Sequence, residues 1–309
     1  MPAYNVEIYI EQAIKSILSQ TYSDFELLIL NDGSTDGTES VIKKFDDPRI
    51  RYFSFKKNRG NVEAINYLFE EALGQYIAFQ DADDWCTESR IEEQILYLLK
   101  NPLFVACGTQ YYHVEFSGKI VEAEFVPNSH SEILEKIEVD HYPSVCCGSL
   151  LFRGSLLKSV GKYRIFFSGI GSADFDWYFR VLKVGEVANL NNYHYYYRQH
   201  YYSVTKSITS NPLKNVSYKI AYILYKDEVS GKEMLDCTGV PKLDLFIEEY
   251  LEPYNNDSSL IFREMAYFNC KKGFYKICLH NIGTAIYKNF FEIKNYRALK
   301  FIFWKYKNR

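Results

Sequence analysis

The sequence predicts an α/β fold: a mostly parallel, Rossmann-like sheet with flanking helices, followed by a mainly helical C-terminal region. Three observations point to it. Strand, loop and helix patterns alternate through the first hundred residues, two of those strands run directly into acidic loops, and helical spacing dominates beyond Ser210.

In the segment from Val6 to Gln20, Val6, Ile10, Ile14, Ile17 and Leu18 fall at helical spacing, and Phe25-Glu26-Leu27-Leu28-Ile29-Leu30 then reads as a buried strand. Asn31-Asp32-Gly33-Ser34-Thr35-Asp36-Gly37-Thr38 is dense in turn and N-cap residues and opens a helix through Glu39 to Phe45. The unit repeats. Arg49 to Phe55 is strand-like, Asn58-Arg59-Gly60-Asn61 turns, Val62 to Leu73 is helical, and Gln75 to Gln80 is a strand ending in acids. Such alternation implies a parallel sheet, and ligands of these sheets sit at the carboxyl ends of the strands, where both acidic loops fall. After a helix from Thr87 to Lys100 the texture becomes mixed. Strands are expected at Phe104 to Tyr111, Lys119 to Phe125 and Ser149 to Phe152, a helix from Asp174 to Val184, and strands at Glu186 to Asn191 and Tyr193 to Arg198. A loose boundary near Ser210 divides residues 1–209 from a helical region, 210–309.

Composition sets the bounds. A chain of 309 residues with 47% hydrophobic content buries a core large enough for an enzyme, while 28 Tyr and 22 Phe are a surplus that calls for an explanation. The net charge of −3 gives no global attraction for nucleic acid. It is polarised, however: residues 270–309 hold ten Lys or Arg against the single acid Glu292, a net of +9 that leaves −12 for the rest. Seven cysteines form no Cys-x-x-Cys pair and include the neighbours Cys146 and Cys147, which fits a reducing cytoplasm. There is no run of 18 apolar residues, and the N-terminal stretch lacks the basic and apolar segments of a signal peptide.

Asp81 and Asp83 are one residue apart, so two hard carboxylates can converge on one magnesium or manganese ion able to neutralise a nucleotide diphosphate. Taken alone, a solvated turn or helix cap is the better account of Asp-x-Asp, and ordinary turn chemistry is the better account of the Asp32 loop. Two acidic loops at neighbouring strand ends favour an occupied crevice, because carboxylates drawn away from water call for a cationic or hydrogen-bonding partner.

Five stretches, in this order, resemble glycosyltransferase family two, the inverting enzymes of the GT-A fold: Met1-Pro2-Ala3-Tyr4-Asn5, Ser16 to Tyr22, Phe25 to Thr38, Asn58-Arg59-Gly60, and Gly74 to Asp84. The resemblance covers about residues 1–205, most closely the family's bacterial cell-surface polysaccharide enzymes. It implies a cytoplasmic catalytic domain with a nucleotide-binding half (1–100) and an acceptor-side half (101–209). The donor would be a nucleotide sugar, normally a UDP-sugar, and the acceptor a saccharide or lipid-linked saccharide. Asp32 would accept a hydrogen bond from the base, with Tyr4 packed on it, Arg59 holding it, and Pro2 and Ala3 supplying nearby backbone. Asp83 would be the principal ligand of a Mn2+ or Mg2+ ion on the diphosphate, with Asp81 and Ala82 near the ribose and sugar. Ala173-Asp174-Phe175-Asp176-Trp177 resembles the acidic segment that carries the general base, which puts that role on Asp174; without the resemblance, capping of its helix accounts for it. Arg198-Gln199-His200 resembles the family's Arg-x-His segment, with Arg198 on the diphosphate and His200 completing the metal shell, although both are equally explained as structural groups.

The sequence departs from the family in two places. It starts within the stretch that usually follows a short apolar strand, so a shortened or missing strand is expected there, and Ala173 stands where an acid is common, leaving Asp176 to compensate. Aromatic and basic residues alternate from Ile286 to Lys305, which suits an anionic membrane surface or, equally, a packing helix. The abundant aromatics fit sugar stacking, though most are expected in the core, and His141 to Gly148, Gly169 and Gly171 are candidate acceptor-side walls. Two rival readings remain open: a sugar-nucleotide-binding protein without transfer activity, and a nucleotidyltransferase, although no Gly-rich basic loop for a triphosphate is present.

Overall fold

The computed structural model describes residues 1–199, 213–232, 244–271 and 275–307; His200 and the boundary expected near Ser210 lie outside them. The first hundred residues form β1 (Pro2–Ala3), α1 (Ile10–Leu18), β2 (Leu27–Asn31), α2 (Thr38–Ile42), β3 (Ile50–Ser54), α3 (Asn61–Glu71), β4 (Tyr76–Ala78), β5 (Trp85–Cys86) and α4 (Arg90–Lys100). There follow β6 (Phe104–Glu115), β7 (Ile120–Glu124), α5 (His130–Asp140), β8 (Leu151–Arg153), α6 (Leu156–Ser159), α7 (Ala173–Leu182) and β9 (Glu186–Gln199). The C-terminal part is helical: α8 (Leu213–Val229), α9 (Asp244–Asn256), α10 (Leu260–Lys271), α11 (Tyr275–Lys288) and α12 (Ile293–Lys307).

The α/β expectation holds, with one change in how the sheet is built. β1, β2 and β3 form a parallel sheet, and the expected short first strand is present, its Pro2 and Ala3 paired with Leu30 and Asn31. β4 does not extend this sheet. It runs antiparallel to β8 and begins a second, mixed sheet in the order β4-β8-β6-β9-β5, with β7 paired to β6. A short apolar run looks the same in a parallel centre and an antiparallel edge, so periodicity does not reveal the partner. The two strands expected around Asn191 are one, because register shifts in the β6–β9 ladder absorb the exposed Asn191-Asn192 step. One helix escaped the sequence reading. α5 is announced by Ser129 and Glu132, a capping box in which each side chain bonds the other's backbone N–H.

α1 buries Ile10, Ala13, Ile14 and Ile17 on the stripe that its spacing predicts, against Leu27 and Ile29 of β2. Under the second sheet, Phe69, Phe79, Phe152, Tyr163 and Trp177 form a cluster of rings with centroids 4.7–6.3 Å apart. Much of the aromatic surplus is therefore core, where fully burying such a ring is worth roughly 1.5–3 kcal/mol. Trp177 Nε1 donates to the Gly161 carbonyl at 2.8 Å, which satisfies its polar end.

α7 and α8 are joined by a buried ion network in which Asp176 accepts from Arg164 at 2.7 Å and from Arg180 at 3.0 Å, while Arg164 also reaches Glu228 at 2.6 Å. Asp176 is thus engaged away from the site and is not the compensating acid anticipated beside Ala173. The six described cysteines are unbridged, and among the described residues no helix is long and apolar enough to cross a membrane. Asp176→Ala leaves two part-buried guanidinium groups without their shared, buried carboxylate, so it should cost up to about 3–5 kcal/mol in chemical denaturation, far more than an exposed pair such as Glu11–Lys15.

Candidate active site

Two acidic loops lie at strand carboxyl ends, each built by a different device. In the first, the Asp32 carboxylate accepts the backbone N–H groups of Arg59 (2.8 Å) and Gly60 (2.9 Å), drawing the loop after β3 over the end of β2. Burial raises its carboxyl and these two amides hold it back down. Gly33 makes the approach feasible: its φ is +67°, and a Cβ there would stand 2.4 Å from the Lys57 carbonyl carbon. Residues 5–7 are tied to this loop by bonds from Asn5 N–H to Ser34, from Val6 N–H to Thr38 Oγ1 and from Gly37 N–H to Glu7. Tyr4 stands at the rim, 44% exposed, while Ala3 is buried and its carbonyl accepts the Asp32 N–H at 2.8 Å. The Arg59 guanidinium lies 4.2 Å from the centroid of the Phe55 ring, which steadies it beside Asp32.

The second loop, Asp81–Asp84, follows β4 and is held from both sides by buried arginines. Arg90 donates to the Phe79 carbonyl at 3.0 Å and to the Gly148 carbonyl at 3.4 Å. Arg198 donates through Nε to the Asp83 carbonyl (2.7 Å) and through its two terminal nitrogens to Phe116 O (2.7 Å) and Gln12 Oε1 (2.6 Å). Its backbone N–H donates to Asp84 Oδ1 at 2.7 Å, and its guanidinium packs over Tyr9 and Trp85. Arg198, expected on a diphosphate, therefore spends one side-chain donor on the loop and two on Phe116 and Gln12.

Electrostatics single out the crevice. Asp81 is pushed up to about 7 by burial, then by the Asp83 and Asp174 carboxylates, against the N-terminal ammonium and the Tyr195 hydroxyl. Burial, Asp83 and Asp81 raise Asp84 well above the usual carboxylate range. Asp174 is raised by burial, opposed by the amides of its own residue and Phe175 and by the Cys147 thiol. It sits in the first turn of α7, whose chain enters through Gly171 and Ser172 in left-handed conformations, so the helix N-terminus favours its anion. Asp81 and Asp84 are thus raised by burial and by neighbouring carboxylates in one crevice, an arrangement that a divalent ion would relieve.

The structure brings Asp81, Asp83 and Asp174 together and packs Ala82 in the core beneath them; Asp32, Arg59, Pro2, Ala3 and Tyr4 form a second group at the end of β2. The sequence reading does not include Tyr195 in the site, and it gives Cys147 and Gly148 only as part of an acceptor-side wall. The Tyr195 hydroxyl accepts the Asp81 N–H at 3.2 Å, and a Cβ on Gly148 would meet that hydroxyl at 2.5 Å and Asp81 Oδ2 at 2.6 Å. Only alternation along β9, which puts Tyr195 and Tyr197 on one face, hinted at the tyrosine.

Comparison with known proteins agrees with this geometry. A profile described as Glycosyl transferase family 2 matches residues 1–161. An uncharacterized glycosyltransferase of Haemophilus influenzae is 30% identical over 230 residues, 67% of this chain and 90% of that protein. The Escherichia coli UDP-Glc:alpha-D-GlcNAc-diphosphoundecaprenol beta-1,3-glucosyltransferase WfaP is 29% identical over 224 residues, 70% of this chain and 85% of that one. Among solved structures, Staphylococcus aureus TarS 1–349 in complex with UDP-GlcNAc superposes with a TM-score of 0.60 at 18% identity, covering 84% of this chain and 74% of that one. The chain belongs to glycosyltransferase family 2, with the GT-A fold, and is a glycosyltransferase.

Gly148→Ala should displace the Asp81 carboxylate or the Tyr195 hydroxyl. It is expected to lower stability by about 1–3 kcal/mol in chemical denaturation, whereas Gly283→Ala, with open space around its Cβ and no positive φ, should not lower it.

Proposed function

We propose that this protein is an inverting glycosyltransferase that moves a sugar from a UDP-sugar to a saccharide or lipid-linked saccharide, with Asp174 as general base. The observation that carries this reading is the convergence of Asp174 with Asp81 and Asp83 at the end of β4, within a family 2 scaffold. Residues 1–100 bind the nucleotide and 101–209 form the acceptor side. Asp32, Tyr4, Arg59, Pro2 and Ala3 hold the uridine end; Asp81 and Ala82 border the ribose and sugar. UDP-sugars are also named for WfaP and TarS, and a lipid-linked acceptor for WfaP.

The hard oxygens of Asp83, with Asp81 beside it and His200 as a further ligand, suit Mn2+ or Mg2+. When bound, such an ion neutralises charge on the departing diphosphate. Asp174 takes the proton of an acceptor hydroxyl while that oxygen forms a bond to the anomeric carbon. The bond from that carbon to the diphosphate oxygen breaks on the opposite face, its electron pair leaving with the UDP, so one displacement inverts the centre. Burial raises the proton affinity of Asp174, which strengthens it as a base, and the first turn of α7 orients it. Arg198 acts from below by fixing the Asp83 carbonyl, leaving any diphosphate contact secondary.

We place the reaction at the cytoplasmic face of the membrane, peripherally attached. α12 packs through Asn295, Ala298 and Ile302 and leaves Ile293, Phe303, Trp304 and Tyr306 exposed beside Phe290 and Phe291, interleaved with Lys288, Lys294, Arg297, Lys300 and Lys305.

Three predictions test this reading. Asp83→Ala should abolish Mn2+-dependent UDP binding in calorimetric titration. Asp174→Asn should bind UDP within about twofold of wild type and lose transfer by about 10²–10⁴-fold; equal loss of binding in both would overturn the division of roles, and donor binding without turnover in wild type would favour the inactive binding protein. The double change Phe291→Glu and Trp304→Glu should reduce co-sedimentation with anionic vesicles by about tenfold or more at unchanged UDP affinity, and undiminished vesicle binding would remove the membrane role from this face.

A further inference from the structure

Away from the Asp81 crevice, the β6–β7 ladder carries a histidine and two glutamates on one face. His113 is the cross-strand partner of Glu122, and Glu124, two residues on, is the partner of Tyr111, so strand alternation points the three side chains the same way. One ligand atom from each lies within 4.8 Å of the others. His113 Nε2 is 3.3 Å from Glu124 Oε2, close to the roughly 3.3–3.4 Å edge of a tetrahedron with metal–ligand bonds of about 2.0–2.1 Å. A rotation of the Glu122 carboxylate would close the third side.

The far nitrogen of the imidazole gives an independent observation. Gln199, at the end of β9 and 4% exposed, places its amide 3.3 Å from His113 Nδ1, and its Oε1 is buried without a hydrogen-bond partner among the described residues. Amide orientation follows from the hydrogen-bond network, and turning this amide sets Oε1 to accept from Nδ1–H. That is the outer contact that metal-binding histidines make, because it leaves the Nε2 lone pair for the ion. The rings of Tyr111 and Tyr197 stand edge-on to the imidazole at 5.2 and 5.7 Å and limit its rotation, while Glu124 keeps about 29% of its side-chain surface open for entry.

We propose that His113, Glu122 and Glu124 form a zinc site separate from the donor metal, with Gln199 positioning the histidine. One imidazole and two carboxylates suit zinc in four-coordination with water in the fourth place. The ion would clamp the β6–β7 hairpin to the end of β9, and the site holds whether or not the assignment of Asp174 stands.

The test uses the full chain, stripped of metal and titrated with Zn2+ at neutral pH by equilibrium dialysis with elemental analysis. One zinc per chain is expected at micromolar affinity or tighter. His113→Ala, Glu122→Gln and Glu124→Gln should each abolish or severely weaken it, Gln199→Ala should weaken it about 10–100-fold, and Asp83→Ala should leave it unchanged. The glutamine variants keep the shape of the side chains, and circular dichroism checks that they fold. X-ray absorption should show nitrogen and oxygen neighbours at about 2.0–2.1 Å with no sulfur. Absence of tight zinc binding in the wild type, binding unaffected by the His113 and Glu124 changes, loss in Asp83→Ala, or a sulfur-containing shell would each overturn the proposal.

Discussion

The constraint on which the rest depends is that a concentration of negative charge must be held at the end of β4 without the loop flying apart. Burial, and then the neighbouring carboxylates, raise the proton affinity of Asp81 and Asp84, and burial raises that of Asp174. Two buried arginines oppose it by gripping the backbone. Arg90 ties the approach to the loop to the Gly148 segment, and Arg198 ties its exit to Phe116 and Gln12. They do so through backbone carbonyls of Phe79 and Asp83 rather than through the Asp81 and Asp83 carboxylates. The arrangement is preorganised at the expense of local stability, as a site that must stabilise developing charge requires.

The parallel sheet solves a different problem. Its short β1 carries little pairing energy of its own, yet Ala3 and Asp32 are joined through backbone, and residues 5–7 are stitched to residues 34–38 by side-chain oxygens on backbone donors. The proposed nucleotide rim is therefore made of turns cross-linked to one another. Turn residues rich in Asn, Asp, Ser and Thr do this because their side chains bond nearby backbone.

Much of this was legible in the sequence, and the exceptions have physical reasons. The stripe of Ile10, Ile14 and Ile17 and the run from Leu27 to Leu30 announce their elements through burial period, a local property. Asp32, Asp81 and Asp83 stand out because carboxylates after buried strands are chemically conspicuous, whereas Asp174 is marked by the resemblance of its segment to the family's acidic motif. The antiparallel placement of β4 was hidden, since pairing direction is decided by Leu151 and Phe152, more than seventy residues away. Tyr195 and Gly148 were hidden for the same reason: each matters through its distance to Asp81, which no spacing encodes. Asp176 was misread as a spare acid because its partner Arg164 precedes the motif and Glu228 lies in another helix.

β9 has a consequence for how such a chain can change over time. Along its 14 residues, Tyr195 touches the acidic loop, Arg198 locks the exit of that loop and Gln199 meets His113, so neighbouring positions serve different neighbourhoods on opposite faces. A single inserted or deleted residue near Tyr193 would exchange the two faces at a stroke, whereas replacing any one side chain disturbs only its own neighbourhood. The strand is free to drift in composition while its length is held, and descendants of this chain should differ at β9 by substitution, with gaps gathering in the hairpin turn around Gly118.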